Sequence, residues 1–391
     1  MKSVVICGKI IDCTSERASS FHYLTVEDGW IVGLGDQMPV GCDRVIDWSA
    51  YTVTPGMINC HTHICSIPVA RGDEMLSYQP AQRAVISMQQ LGQFLPSGVT
   101  TIRDMGGLDG IDLQLRDLVR AGRIEGPDVY ASGRFITMTG GHGHFMGVEC
   151  DGRDACLKAA RQQIKDDADL VKLMATGGVL TKGTQPGAPQ LTLEEMEAIC
   201  GTAHRAGRRV AAHAQGQEGI RDALKAGADS IEHGFFLGEE EIATMVERGI
   251  YYVPTLSAMY YMATKGAQLG LPAEAMKKVE ACFEAHRDSV RAALRAGVKI
   301  AVGTDAGTPF NDHASTATEL LQLCECGMSP AEALIAATRT AAQCIGLDER
   351  GTLEAGRRAH LTAVEGNPLL DIAAMKRVRA VLKEERLYSY G

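Results

Sequence analysis

Five separated stretches of the sequence carry side chains that could bind a metal ion, and each follows a run of strand-forming residues. They are His61-Thr62-His63, Lys172, His213, His233 and Asp305. In a strand, residues i and i+2 point to the same face, so the imidazoles of His61 and His63 can bind one ion. Imidazole and carboxylate ligands suit zinc and the neighbouring divalent transition metals. The pattern predicts a metal-dependent hydrolase.

Strands and helices alternate along most of the chain, as in an α/β protein. Candidate strands lie near 53–60, 98–104, 129–136, 169–175, 209–213, 229–233, 250–256 and 298–304. Helical stretches between them include 193–206, 239–248 and 273–296. Eight strand–helix units over roughly 300 residues predict a (β/α)8 barrel of the TIM type. The candidate ligands fall at the ends of strands 1, 4, 5, 6 and 8, which form the C-terminal mouth where barrel enzymes carry their active sites.

The two ends of the chain carry short strands and turns instead. We expect residues 1–54 and 351–391 to form a small β-sandwich domain together, and residues 55–350 to form the hydrolase barrel.

Composition narrows the possible partners and the compartment. The 391 residues carry a net charge of −9 with no basic block, which argues against binding to nucleic acid or an anionic membrane. We find neither an apolar segment long enough to span a bilayer nor the features of a signal peptide. Twelve scattered cysteines without a Cys-X-X-Cys pair predict reduced thiols in a cytoplasmic protein.

Several sequence motifs occur together in a defined order. They are PGMINCHTH at 55–63, GVTTIRD at 98–104, TGGHG at 139–143, VKLMATGG at 171–178, AAHA at 211–214, IEHG at 231–234 and GTDAG at 303–307. With these motifs the chain resembles the amidohydrolase superfamily along nearly its whole length. The TGGHG and KLMATGG stretches resemble its prolidase-like branch of Xaa-Pro dipeptidases and metal-dependent carboxypeptidases.

The resemblance implies two divalent metal ions, zinc in the first place, with manganese and cobalt compatible with the same ligands. His61, His63 and Asp305 would hold the more buried ion. His213 and His233 would hold the second ion.

Lys172 would join the two ions after CO₂ carboxylates its amine, since an unmodified ammonium has no lone pair to offer a cation. A lone strand lysine is more often a structural ion-pair residue, so this expectation rests on the resemblance. Two positions depart from the family pattern. Asn59 stands where the family usually has Asp, and His144 stands where the branch usually has an acidic residue.

Four residues are expected to act on the substrate. Asp305 would pass a proton from the attacking water to the leaving amine. By resemblance, His142 would stabilise the oxyanion and Tyr251 would contact the substrate carboxylate. His313 follows Asp305 in a loop above the barrel mouth, where it could contact substrate.

The residues and the resemblance together predict hydrolysis of the amide bond of a dipeptide or N-acyl amino acid by a metal-bridging hydroxide. The alternatives are a cyclic-amide, imidazolone-type or lactone hydrolase, or a deaminase, of the same superfamily. A non-catalytic scaffold is a minor alternative, because no ligand is missing. The expected partner is a small-molecule substrate, and the resemblance implies a homo-oligomer. The Gly- and Pro-rich loop at 181–189 is typical of a flap.

Overall fold

The computed structural model describes residues 1–71, 73–181, 183 and 185–390. Its strands are β1 (Lys2–Ile10), β2 (Tyr23–Glu27), β3 (Trp30–Gly35), β4 (Arg44–Pro55), β5 (Met57–Thr62), β6 (Val99–Asp104), β7 (Asp128–Ala131), β8 (Ile136–Thr137), β9 (Val148–Glu149), β10 (Leu170–Met174), β11 (Arg209–Ala214), β12 (Ser230–His233), β13 (Tyr251–Val253), β14 (Lys299–Ile300), β15 (His360–Val364), β16 (Val378–Lys383) and β17 (Arg386–Ser389). Its helices are α1 (Pro80–Leu91), α2 (Ile111–Arg120), α3 (Arg153–Lys165), α4 (Leu193–Arg205), α5 (Gln217–Ala226), α6 (Glu239–Arg248), α7 (Leu256–Leu269), α8 (Ala273–Ala296), α9 (Thr316–Glu325), α10 (Pro330–Ala336) and α11 (Arg339–Ile345).

The central strands form the predicted (β/α)8 barrel. Strands β5, β6 and β7 pair in parallel, as do β10 to β14, in chain order. The β5–β7 sheet meets the larger barrel sheet where the Asp169 N–H, just before β10, donates to the Ala131 carbonyl of β7 at 2.9 Å, while β8 pairs with β10 within the larger sheet. At the opposite edge, the Cys60 N–H donates to the Val302 carbonyl at 2.8 Å. This hydrogen bond closes the barrel between β5 and the residues that follow β14.

The strand expected at 129–136 is split into β7 and β8. Between them, Gly133 has φ +63°, a left-handed conformation that takes the chain out of the extended path and that glycine adopts without strain. The Gly133 carbonyl accepts from the Gly107 N–H at 2.9 Å, and the Gly133 N–H donates to Asp112 at 2.9 Å. The loop after β6 therefore fixes the break.

Helices α4, α6 and α8 cover the helical stretches expected from the sequence. Helices α6 and α8 end at Gly249 and Gly297, whose φ angles of +66° and +80° give the left-handed stop that favours glycine. Across the described residues, every helix is too short or too polar to cross a membrane.

Both ends of the chain contribute to a second, seven-stranded sheet in the order β17-β16-β15-β4-β1-β2-β3. Residues from β1 to β4 and from β15 and β16 pack into one core beneath it, including Val5, Leu24, Trp48, Leu361 and Leu382. Strand β4 ends at Pro55 and barrel strand β5 begins at Met57. The division of the chain after residues 54 and 350 stays a prediction.

A largely buried charge cluster connects the sheet formed by the two ends of the chain to the barrel. The Asp128 carboxylate, at the start of β7, contacts Lys383 Nζ of β16 and Arg350 Nη1, each at 2.6 Å. Arg350 also donates to Thr101 of β6 at 3.1 Å. Burial alone would raise the pKa of Asp128, but His360, Lys383 and Arg350 hold that pKa below its usual range.

Replacing Asp128 with Asn should destabilise the protein by about 3 kcal/mol, because it removes the carboxylate that Lys383 and Arg350 share and leaves Arg350 paired with Glu349. The free energy of unfolding from chemical denaturation measures this loss. Glu365→Gln is the matched control, since Glu365 pairs with Arg379 at the solvent-exposed surface, and it should change stability little.

The same variant should change how stability depends on pH. The folded-state pKa of Asp128 lies below its unfolded value, so the ionised carboxylate stabilises the fold above the unfolded pKa. That contribution is lost as pH falls, so the wild-type chain should lose stability more steeply than Asp128→Asn between about pH 5 and pH 3. Equal slopes for the two proteins would contradict the assignment.

Candidate metal centre

Lys172 and His213 point into the barrel because their neighbours in sequence point outward. Val171 and Leu173, on either side of Lys172, pack in the core between strands and helices, and so does Ala212 beside His213. Side chains alternate between the two faces of a strand. Lys172 and His213 therefore face the inner cavity of the barrel.

This cavity has a volume of about 420 Å³ and opens at the C-terminal ends of the strands. All six candidate metal ligands line it, namely His61, His63, Lys172, His213, His233 and Asp305. Asp305 Oδ1 lies 3.4 Å from His61 Nε2 and 3.3 Å from His63 Nε2. Ligand atoms of His61, His233 and Asp305 all lie within 4.8 Å of one another. The ring centroids of His213 and His233 are 4.6 Å apart.

Two of these residues reach the cavity through strained backbone. His233 has φ +70° and Asp305 has φ +56°, left-handed values that are uncommon for residues with a side chain. Ser230 and Glu232 share the inner face of β12, so a regular strand would direct His233 outward. The positive φ at the end of β12 allows Glu232 and His233 to face the same interior.

Glu232 is a functional partner that the sequence analysis missed. Its Oε2 lies 2.7 Å from His61 Nδ1, while its Oε1 accepts from Arg103 Nη2 at 2.9 Å and from the Ser230 hydroxyl at 2.5 Å. Burial opposes ionisation of Glu232, but the charge of Arg103 and the contact with His61 lower its pKa to about 2. The carboxylate accepts the Nδ1 proton of His61 and leaves the Nε2 lone pair available to a metal ion.

Thr255 orients the ring of His233 as Glu232 orients that of His61. Its hydroxyl donates to the Pro254 carbonyl at 2.6 Å, so Thr255 Oγ1 accepts from His233 Nδ1 at 2.7 Å. Nε2 of His233 is therefore also directed away from its supporting residue.

A signal for Glu232 was present in the sequence, because a carboxylate at an inner strand position two residues from Ser230 requires a cation. Its partner Arg103 lies on the opposite side of the barrel and could not be identified from spacing.

Lys172 and His213 carry deeply buried candidate ligand atoms. Lys172 is 1% exposed and His213 is 2% exposed. Neither Lys172 Nζ nor His213 Nε2 has a hydrogen-bond partner among the described residues. Burial lowers the pKa of Lys172 to about 8, which makes the neutral amine more accessible than in an exposed lysine. Buried polar atoms without partners are costly, and a bound metal group would satisfy both, so the residues present fit such a group.

His142 lies in the same cavity, as expected. Its ring stacks on His213 with centroids 4.3 Å apart, and its Nδ1 lies 2.8 Å from Thr181 Oγ1. Thr181 Oγ1 accepts from the Gly143 N–H at 3.2 Å, so the hydroxyl proton can be donated to Nδ1 of His142. Burial lowers the pKa of His142 to about 4, which keeps the imidazole neutral.

Two glycines in the VKLMATGG and GTDAG motifs make room for these rings. A Cβ on Gly178 would lie 2.4 Å from the His142 ring, and a Cβ on Gly303 would lie 2.7 Å from His61 Cβ. A side chain at either position would displace a histidine of the site.

Asn59 and His144, which depart from the family pattern, lie in different surroundings. Asn59 is fully buried, and its Nδ2 donates to Thr304 and Thr316 while its Oδ1 accepts from the His61 and Thr304 N–H groups. It thus joins β5 to the segment that carries Asp305 without adding charge. His144 lies at the rim of the cavity and is largely exposed.

Tyr251 and His313 do not line the cavity. Tyr251 is the first residue of β13, so it lies at the opposite end of the barrel, where its ring is 5.4 Å from Lys299 Nζ. His313 is fully buried, and its Nε2 contacts the His63 carbonyl at 3.0 Å. The structure places His313 behind a candidate ligand, away from a position that could contact substrate.

Cys60 lies next to His61 in the sequence, and the 181–189 loop follows β10, which carries Lys172. Cys60 Sγ donates to the Ala341 carbonyl of α11 and faces away from the ligands. Lys182 and Thr184 of the loop lie outside the described residues. Thr181 contacts His142 and accepts from Lys278 of α8 through its carbonyl at 3.1 Å.

Known proteins resemble this chain in sequence. The family model described as the Amidohydrolase family matches residues 52–384. The chain is 33% identical over 360 residues to ochratoxinase from Aspergillus niger, across 84% of this chain and 73% of that protein.

Solved structures show the same fold over the whole chain. A Xaa-Pro dipeptidase with methionine bound in its active site has a TM-score of 0.93 and 33% identity, covering 100% of both chains. A prolidase complexed with N-methylphosphonate-L-proline has a TM-score of 0.94 and 29% identity, again covering 100% of both chains. The predicted resemblance is confirmed, and the chain belongs to the amidohydrolase family and is a hydrolase that acts on amide C–N bonds.

Proposed function

We propose that the protein is a binuclear metal-dependent hydrolase that cleaves the amide bond of a dipeptide or an N-acyl amino acid. One observation carries the proposal: among the residues that the structure describes, Lys172 Nζ and His213 Nε2 are buried without hydrogen-bond partners, in a cavity that four further candidate ligands line. A relative that holds methionine and another that holds N-methylphosphonate-L-proline support an amino acid as the released product.

The six candidate ligands divide into two sets that share Lys172. His61, His63 and Asp305 would hold one ion, and His213 and His233 would hold the second. Carboxylated Lys172 would connect the two sets, and zinc suits all these ligands. Bound divalent ions supply a water of lowered pKa and polarise the amide carbonyl.

Asp305 is the residue proposed to move the proton. Burial opposes its ionisation, but the hydrogen bond with His63 and the charges of the neighbouring histidines hold the pKa of Asp305 below its usual range. An ionised carboxylate at this position accepts the proton that the attacking water loses and returns it to the leaving amine.

His142 is the residue proposed to stabilise the oxyanion. When the Thr181 hydroxyl donates to Nδ1, the neutral ring carries its proton on Nε2 and can donate it to the developing charge. Tyr251 lies too far away to contact the substrate carboxylate. Arg71, which lines the rim of the cavity, is a better placed cation for that role.

Replacing Lys172 with Ala should remove one of two bound metal ions and lower turnover by roughly a thousandfold, the equivalent of a few kcal/mol of transition-state stabilisation. Elemental analysis measures the number of metal ions per chain, and kinetic assays measure turnover. NMR after labelling with isotopic bicarbonate detects the carbamate carbon on Lys172. Lys299→Ala, at the opposite end of the barrel, is the control and should keep both metals. An active Lys172→Ala protein with one ion would contradict the binuclear model.

Replacing Glu232 with Gln should weaken metal binding about 10- to 100-fold, because an amide neither fixes the His61 tautomer as strongly nor neutralises Arg103. Competition with a coloured chelator measures the affinity. Glu241→Gln is the matched control, since Glu241 is also a buried carboxylate paired with an arginine, Arg221, but lies on α6. Equal metal affinity in the two variants would remove Glu232 from the site.

The reaction itself is tested by amino acid release from a panel of dipeptides and N-acyl amino acids, using protein reconstituted with zinc and bicarbonate. We expect release from at least one class of these substrates, and none from the Asp305→Asn variant, which cannot accept the proton. A protein that holds two metals and releases no amino acid would instead favour cyclic amides or lactones.

A further inference from the structure

One wall of the cavity is apolar, and α7 and α8 with their connection supply most of it. The side chains that line it and also pack against one another are Val179, Phe235, Met259, Met262, Leu271 and Ala275. We call this set the apolar chamber. Each of its residues is less than a tenth exposed, so the wall is shielded from solvent although it borders the cavity.

The chamber offers no charged or hydrogen-bonding side chain to a ligand. Of the charged groups that line the cavity, Lys172 and Asp305 belong to the metal cluster. Arg71 and Asp73 lie at the rim, 75% and 51% exposed, and pair with each other at 3.3 Å. A charged group placed in the chamber would lose its hydration without gaining a partner, which is costly.

The chamber begins directly beside the candidate metal ligands. Phe235 follows His233 by two residues, and the two ring centroids are 6.1 Å apart. Val179 lies in the loop that follows Lys172 on β10. A group attached to an amide held at the metal cluster therefore reaches the chamber without a long spacer.

We propose that the apolar chamber binds a bulky uncharged group, aromatic or long aliphatic, attached to one side of the scissile amide. This proposal rests on the proposed amide hydrolysis and names its substrate class as hydrophobic dipeptides or N-acyl amino acids with one large apolar side chain. Methionine is flexible and polarisable and packs well against aromatic rings. Met259 and Met262 therefore select for apolar character and size more than for one particular shape.

Binding of uncleavable ligands tests the chamber separately from turnover. Sulfonamides replace the amide, and calorimetry on the zinc-loaded protein compares N-methanesulfonyl-glycine with three derivatives: N-methanesulfonyl-phenylalanine, N-phenylmethanesulfonyl-glycine and N-methanesulfonyl-aspartate. At least one phenyl ligand should bind about tenfold or more tightly than the glycine reference, from burial of its ring. The aspartate ligand should bind no better than the reference.

Substitutions in the chamber should reduce this preference. Ala275→Leu fills part of the chamber and should cut the advantage of the phenyl ligand about tenfold. Met262→Gln keeps the volume but adds a polar group, and it decides the question if Ala275→Leu does not fold. Ala281→Leu is the matched control, because it makes the same change on the exposed side of α8 and should keep the full advantage.

The amide panel is run with the same proteins, so that the two proposals fail separately. A phenyl advantage that depends on the chamber residues, in a protein that cleaves no amide, upholds the chamber and overturns the proposed reaction. Amide cleavage with no phenyl advantage overturns the chamber and leaves the reaction standing. If Ala281→Leu and the two chamber variants show the same phenyl advantage, the chamber proposal is overturned as well.

Discussion

A carboxylate buried between an imidazole and a guanidinium holds the candidate metal centre in place. Glu232 is fully buried, where an isolated charge would lose its hydration at high cost. Arg103 supplies the opposite charge and also donates to the Cys60 carbonyl at 2.6 Å, one residue before His61. The same three side chains thus connect β5, β6 and β12 across the interior of the barrel. Glu232 contacts both His61 and Arg103, so this hydrogen-bond network fixes the position and tautomer of His61 before any metal binds.

Strain at the mouth depends on that rigid interior. Left-handed backbone at His233 and Asp305 costs about 1–3 kcal/mol at each residue and persists only where the surroundings fix it. The buried Tyr252 hydroxyl donates to the His233 carbonyl at 2.9 Å, and Asn311 Nδ2 donates to the Asp305 carbonyl at 3.0 Å. These two hydrogen bonds hold the carbonyls of the strained residues, so their side chains stay directed at the cavity. Binding of a cation by a preset ligand then loses less conformational entropy than binding by a mobile one.

The sequence predicted the barrel and the six candidate ligands because both depend on local pattern. Strand periodicity directs Lys172 and His213 inward, and a barrel brings strand ends together whatever the loops do. Tyr251 and His313 show where local pattern fails. Whether a residue at a strand boundary lies at the mouth depends on where the strand begins, and the direction of a loop side chain depends on its packing. The pairing of Glu232 with Arg103 joins residues 129 positions apart across the barrel, which no spacing rule contains. Carboxylation of Lys172, the metals and the role of His142 stay predictions.

The candidate ligands and most of the apolar chamber lie on different elements, and hydrogen bonds at the start of α7 connect them. Strand register sets the candidate ligands, whereas α7 and α8 set the apolar chamber. Glu319 of α9 accepts from the N–H groups of Leu256 and Ser257 at 2.8 and 2.6 Å, and these residues begin α7. Ser257 Oγ lies 3.1 Å from the carbonyl of Thr304, the residue before Asp305. The first turn of α7 is therefore anchored to the segment that carries Asp305, while the later turns, with Met259 and Met262, face the cavity. Substitutions beyond the first turn can change the volume offered to a substrate while the register that positions the ligands stays the same.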